Sequence, residues 1–185
     1  MKTIGEMNRV ELAGFISQKL IEAGIHAVLS GGSCVSIYSS DQYVSMDLDF
    51  VNAGFTKRER IHKVMTAAGF REHNRYFIHP DTELFIEFPP GPLAVGDEPV
   101  KEINEICTPC GTLKIISPTD CVKDRLTWFY HDDDRDCLEQ ALLVAISHNI
   151  DFAEVLRWSK SEGKLNEFEY FKAQYKSKSL TPNPE

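Results

Sequence analysis

The sequence predicts an α+β protein, a sheet packed on helices with further helices gathered at the C-terminal end. Three observations lead there. The run Ser45-Met46-Asp47-Leu48-Asp49-Phe50 alternates apolar and polar residues with the period of a strand packed on one face. A second run, 82–88, alternates in the same way around Leu84, Ile86 and Phe88. Beyond Pro118, apolar residues recur at helical spacing almost to residue 175.

Taken in order, residues 8–23 form an amphipathic helix, with Val10, Leu12, Phe15, Ile16, Leu20 and Ile21 on its stripe and Gly24 at its end. Ala27 to Leu29 read as a buried strand, ended by Gly31-Gly32, with Ser33 capping a short helix over 34–39. The aspartate strand follows, then a helix over 56–68 capped by Thr56 and stopped by Gly69. Residues 70–79 form one strand, paired with 82–88 through Pro80-Asp81. A loop rich in Pro and Gly covers 89–99, and a hairpin covers 102–116. Ser117-Pro118-Thr119-Asp120 is a helix start, with Ser at the N-cap, Pro at the first position and an acid at the third. Helices are expected over 118–130, 136–149, 151–161 and 165–175, followed by a disordered tail over 177–185.

Composition narrows the function. A chain of 185 residues, 42% hydrophobic and 26% charged, is long enough for a real core. Its polar N-terminus and lack of a long apolar run point away from membranes and secretion, so a cytoplasmic location is expected. The net charge is −8, and the basic patches at 57–60 with Arg71 and Arg75, and at Lys172, Lys176 and Lys178, are sparse, so a small molecule or a protein hydroxyl fits the charge as well as RNA does. Five cysteines, an odd number, argue against a disulfide framework. Cys107 and Cys110 form the one CxxC, which needs two further ligands to hold zinc. The acidic run Asp132-Asp133-Asp134 with Asp136 lacks the spacing of a calcium loop and reads as a linker favouring the next helix's N-terminus.

Asp47 and Asp49 share one strand face, with Cα atoms about 6–7 Å apart. Two carboxylates so placed repel unless something positive lies between them, and a pair of divalent metals is a common catalytic answer. Alone, the pair is better explained as the wet face of a strand. Its neighbours change that. Upstream, the glycine turn runs into a helix N-terminus, a ready anion site. Downstream, Glu87 stands in an apolar run, a costly place for a carboxylate without a partner.

This order of strand, Gly-Gly-Ser, helix, Asp-x-Asp strand and later acidic strand resembles the nucleotidyltransferase superfamily, the fold shared with DNA polymerase beta. The segment after Pro118 is similar to the abortive-infection toxin branch of bacterial nucleotidyltransferases. That branch has Pro-x-Asp, Lys-Leu, then Arg-Asp with a further acid one turn on. Here Arg125 stands for the lysine and Glu139 for the last acid. Tyr43 and Ser45 stand where the branch has Arg-x-Thr-x-Asp.

The resemblance implies a nucleotidyltransferase-type mixed sheet over 1–116, a helical region over 117–176 and a tail over 177–185. It implies that Gly31, Gly32, Ser33 and Ser45 hold an NTP, that Asp47 and Asp49 bind two Mg²⁺ ions, and that Glu87 completes the metal site or acts as base. Arg125 would neutralise the leaving pyrophosphate. The acceptor would be a tRNA end, a protein side chain or a small hydroxyl compound such as an aminoglycoside, in a toxin–antitoxin or phage-defence setting with a cognate antitoxin. A catalytically inactive partner protein is the alternative, motivated by Tyr43 and Arg125. A hydrolase using the same carboxylates is a third reading.

Overall fold

The computed structural model describes residues 2–180. After a 3-10 turn at Ile4–Glu6, helix α1 (Arg9–Glu22) begins at Asn8, whose side chain accepts from Glu11 N while Glu11 reaches back to Asn8 N. Strand β1 (Val28–Ser30) leads directly into α2 (Gly31–Tyr38), and β2 (Asp47–Val51) follows. Then come α3 (Arg58–Ala67), β3 (Arg71–His73), β4 (Tyr76–Ile78) and β5 (Phe85–Glu87). A small ribbon, β6 (Ala94–Val95) and β7 (Glu98–Pro99), precedes the hairpin β8 (Ile103–Thr108) and β9 (Gly111–Ile116). Helices α4 (Pro118–Asp132), α5 (Arg135–Ser147), α6 (Phe152–Ser161) and α7 (Leu165–Ser179) complete the chain. No helix among the described residues is long and apolar enough to cross a membrane.

Seven strands form one mixed sheet in the order β3-β4-β5-β2-β1-β9-β8. Two pairings are parallel, β2 with β5 and β1 with β9, and the rest are antiparallel. The α+β expectation and the mixed sheet hold. Leu48, Phe50, Ile86 and Phe77 are wholly buried from the central strands, and Leu12, Ile16 and Leu20 of α1 join the same core. Burying side chains of this size removes roughly 1.5–3 kcal/mol of apolar exposure each. Helix α1 lies so close on the β8–β9 turn that a Cβ at Gly14 would sit 2.4 Å from Thr108 Oγ1.

Several boundaries differ from expectation. Residues 70–79 are a hairpin, because Asn74 takes a left-handed φ of 55° and folds β4 back on β3. Helix α3 starts at Arg58, because Asn52 clamps Thr56 through both its amide oxygen and its amide nitrogen. Helix α7 continues through Ser179, so the expected tail does not begin at 177; residues 181–185 lie outside those described. Ser117, Pro118 and Asp120 start α4 as read, with Asp120 N donating to Ser117 Oγ. Asp134 caps α5 by accepting from Cys137 N, the linker role foreseen for the acidic run.

Candidate functional site

The site is built where β1, α2, β2 and β5 meet. Helix α2 begins one turn earlier than expected, at Gly31, with Ser30 before it and no side-chain cap on its first N–H groups. Gly31 has φ +69°, and a Cβ there would lie 2.6 Å from Asp49 Oδ2. The glycine is therefore required both by backbone conformation and by the carboxylate packed on it. Gly32 presses against Ser45 and Tyr43, at 3.1 Å from Ser45 Oγ for an added Cβ.

Both serine hydroxyls are engaged by Asp47. Ser33 is wholly buried and donates its hydroxyl to the carbonyl of Asp47 instead of capping a helix. Ser45 is also buried; its N–H donates to Ser36 Oγ at 2.9 Å and its hydroxyl to Asp47 Oδ1. Both hold the start of β2 in place. Arg9, from α1, adds a hydrogen bond to the Ser45 carbonyl and an ion pair with Asp41 at 3.0 Å. Because β2 starts only at Asp47, Met46 is 40% exposed, not part of the inward face assigned from the alternation.

The carboxylates converge through strand register. Asp49 pairs with Glu87 across the parallel β2–β5 ladder, so their side chains leave one face of the sheet side by side. Asp47 is two residues from Asp49 on that face. Burial, then the charges of Asp47 and Glu87, push the Asp49 carboxyl up to about 7. Glu87 receives the exposed Arg75 at 3.3 Å.

Asp49, Glu87 and Gly31 line a cleft of about 260 Å³, whose other walls include Pro90, Pro92, Leu93, Val100, Arg125 and Trp128. Asp47 does not line it. Trp128 is half exposed there, whereas Trp158 is wholly buried. Arg125 reaches the cleft but is tied to Asp124 at 2.6 Å and to Gln140 at 3.4 Å. Glu139 is not in the site: it faces outward and pairs with Lys178. The lysine two residues before Arg125 lies beside a second cavity, of about 220 Å³. Its ammonium is held by Asp120 at 3.0 Å and Glu154 at 3.3 Å.

The hard oxygen donors fit a Mg²⁺ or Mn²⁺ ion in chemistry. They fit it in charge too, since the carboxylates of Asp49 and Glu87 stand side by side with one exposed arginine on Glu87, and Arg125 is paired with Asp124. A cradle that a Cβ would fill, at Gly31, keeps Asp49 accessible. As they stand, no three His, Cys, Asp or Glu side chains among the described residues are close enough together to hold an ion. Cys107 and Cys110 are free thiols in the β8–β9 turn, one exposed and one buried, and the turn is closed by Thr108 donating to Gly111 O at 2.8 Å.

Two cues for the site went unused in sequence. Arg75 follows an asparagine between two alternating runs, a turn signal that marks a hairpin tip. Trp128 is the cue in α4, a large aromatic three residues after Arg125.

No protein-family model matches the chain, and no curated protein is detectably similar to it. Among solved structures, the chain is similar to the solution structure of the antibiotic-resistance factor ANT(2'')-Ia, with 14% identity, a TM-score of 0.48, and coverage of 92% of this chain and 91% of the other. It is also similar to the crystal structure of ANT(2'')-Ia in complex with adenylyl-2''-tobramycin, with 13% identity, a TM-score of 0.46, and coverage of 87% and 95%.

Proposed function

We propose that this protein is a metal-dependent nucleotidyltransferase that moves an NMP group from an NTP to a hydroxyl acceptor. The observation that carries the reading is the register of Asp49 against Glu87 at the floor of a cleft into which the uncapped N-terminus of α2 opens. Asp49 and Glu87, with Asp47 behind them, would hold the Mg²⁺. When bound, the metal supplies stabilisation of charge on the phosphoryl oxygens and on the attacking and leaving oxygens.

The chain's own groups do the rest. The first N–H groups of α2 and its dipole favour the phosphates. Glu87, where not engaged as a ligand, accepts the proton of the acceptor hydroxyl at a carboxylate oxygen. Arg125, paired with Asp124, would have to exchange that partner to offset negative charge on the departing pyrophosphate. Trp128 and the proline-rich wall shield the reacting groups from water. Within this reading, residues 1–116 supply the reacting groups and 117–176 the opposite wall.

A small hydroxyl compound suits the cleft better than a nucleic acid does. The cleft has one basic residue in its lining, already neutralised, and the chain carries a net charge of −8. The toxin-like resemblance adds a setting, a toxin–antitoxin or phage-defence system in the cytoplasm with a cognate antitoxin. The test is transfer of α-labelled NTPs to aminoglycosides, total tRNA and cell lysate. Wild type should label one acceptor class, and Asp49→Asn and Glu87→Gln should lower the rate by at least about a hundredfold. Equal labelling by all three proteins would sink the reading.

The second reading is a non-catalytic binding protein. It is favoured by Arg125 being tied to Asp124 and by Tyr43 at the place of the family's arginine. Mg–NTP binding without any turnover would select it.

A further inference from the structure

Arg75 stands apart from the other charged groups of the site. Its guanidinium Nε lies 3.3 Å from Glu87 Oε1, and its plane covers the Tyr76 ring at 4.8 Å. Tyr76 is itself the register partner of Glu87 across β4 and β5, so the arginine spans the two ends of one cross-strand pair. Its backbone is anchored. Arg58 Nη2 donates to the Arg75 carbonyl at 3.2 Å, Arg58 is fixed to Glu72 at 2.5 Å, and Asn74 sets the turn. The head group is the exposed end of the pair: the Arg75 side chain is 68% exposed, against 18% for Glu87. Arg125, the other arginine of the site, is 12% exposed and locked to Asp124.

A cation on a fixed stem with a solvent-exposed head, set against the carboxylate in register with Asp49, is in competition with any other cation for that carboxylate. We propose that Arg75 is a displaceable counter-ion, a positioning residue that holds Glu87 in the metal-free protein, yields it to the divalent metal, and turns its freed guanidinium to the anionic nucleotide. This rests on the metal-dependent reading above. It makes metal and nucleotide entry mutually supporting, because the group that opposes the first favours the second. An ordinary surface ion pair would do neither.

The experiment uses the full chain freed of metal, with Mn²⁺ as probe, counted by loss of the free ion's paramagnetic resonance signal. Arg75→Ala should bind Mn²⁺ about two- to five-fold more tightly than wild type, the range open to an exposed pair. Arg75→Lys, which keeps the charge, should stay near wild type. Calorimetry with Mg²⁺ and an α,β-methylene NTP should show the opposite sign, with Arg75→Ala binding the complex about two- to five-fold more weakly. Asp49→Asn is the control. If Arg75→Ala and wild type bind Mn²⁺ equally while Asp49→Asn loses it, the counter-ion proposal is overturned and the carboxylate site stands. If wild type binds no Mn²⁺ at all, both fall.

Discussion

Replacing Asp49 with asparagine is expected to stabilise the metal-free protein above neutral pH. The carboxyl is pushed from 3.8 to about 7 by burial and by the charges of Asp47 and Glu87. At about 1.4 kcal/mol for each factor of ten, that corresponds to roughly 4 kcal/mol against the ionised form. This is a ceiling. The side chain keeps some water, and its neighbours relax when its charge goes, so a gain of about 1–2 kcal/mol is the working figure. The sign follows from linkage. Below pH 4 the carboxyl is protonated in both folded and unfolded chains, and the variant has no advantage. Between about pH 4 and 7 the unfolded chain has shed the proton that the folded chain still holds, so wild type loses stability across that window and levels off above it. For a chain of this size the gain at pH 8 amounts to about 2–8 °C in melting temperature, at 2–4 °C per kcal/mol. Thermal unfolding in EDTA at pH 8, 6 and 4 measures the gap and its closure. Adding Mg²⁺ at pH 8 should raise the melting temperature of wild type and leave Asp49→Asn unmoved. A variant no more stable than wild type at pH 8 would refute the electrostatic account of this site.

Other substitutions test the scaffold. Gly31→Ala places a Cβ 2.6 Å from Asp49 Oδ2 at a left-handed φ, and should cost about 1–3 kcal/mol in urea unfolding while abolishing Mn²⁺ binding. Asp120→Ala leaves the buried Lys123 ammonium with Glu154 alone, and should cost about 3–5 kcal/mol in the same assay. Hydrogen bonds from Arg157 and Lys123 hold Glu154 down at about 2, so its contribution is present above pH 4.5 and fades as pH falls toward 2; Glu154→Gln should flatten the acid limb of the stability profile. Trp128 is exposed at the cleft and Trp158 is buried, so nucleotide binding should quench wild-type tryptophan emission and leave that of Trp128→Phe unchanged.

The aspartate strand was readable because a one-sided strand writes its burial into every second residue, and Leu48 and Phe50 carry that signal. Glu87 was readable for the converse reason, as a charge among buried neighbours. Their juxtaposition was not. Nothing local fixes β5 beside β2 in parallel, or Asp49 opposite Glu87. Short polar side chains were the least legible. Ser33 and Ser45 stand where the motif puts phosphate contacts, yet each bonds to Asp47, because a hydroxyl takes whichever acceptor the fold brings nearest. Glu139 matched a motif by spacing along the chain, while the turn of α5 points it outward to Lys178. Arg75 reads in sequence only as part of a sparse basic patch on a single strand, whereas a side chain at a hairpin tip reaches places a mid-strand residue cannot.

Helix α4 borders two cavities. Asp120 and Lys123 face one, and Asp124, Arg125 and Trp128 face the other. The two cavities therefore have α4 as a common wall. One helix thus serves as the partition between two chambers, with Lys123 turned to one and Arg125 to the other.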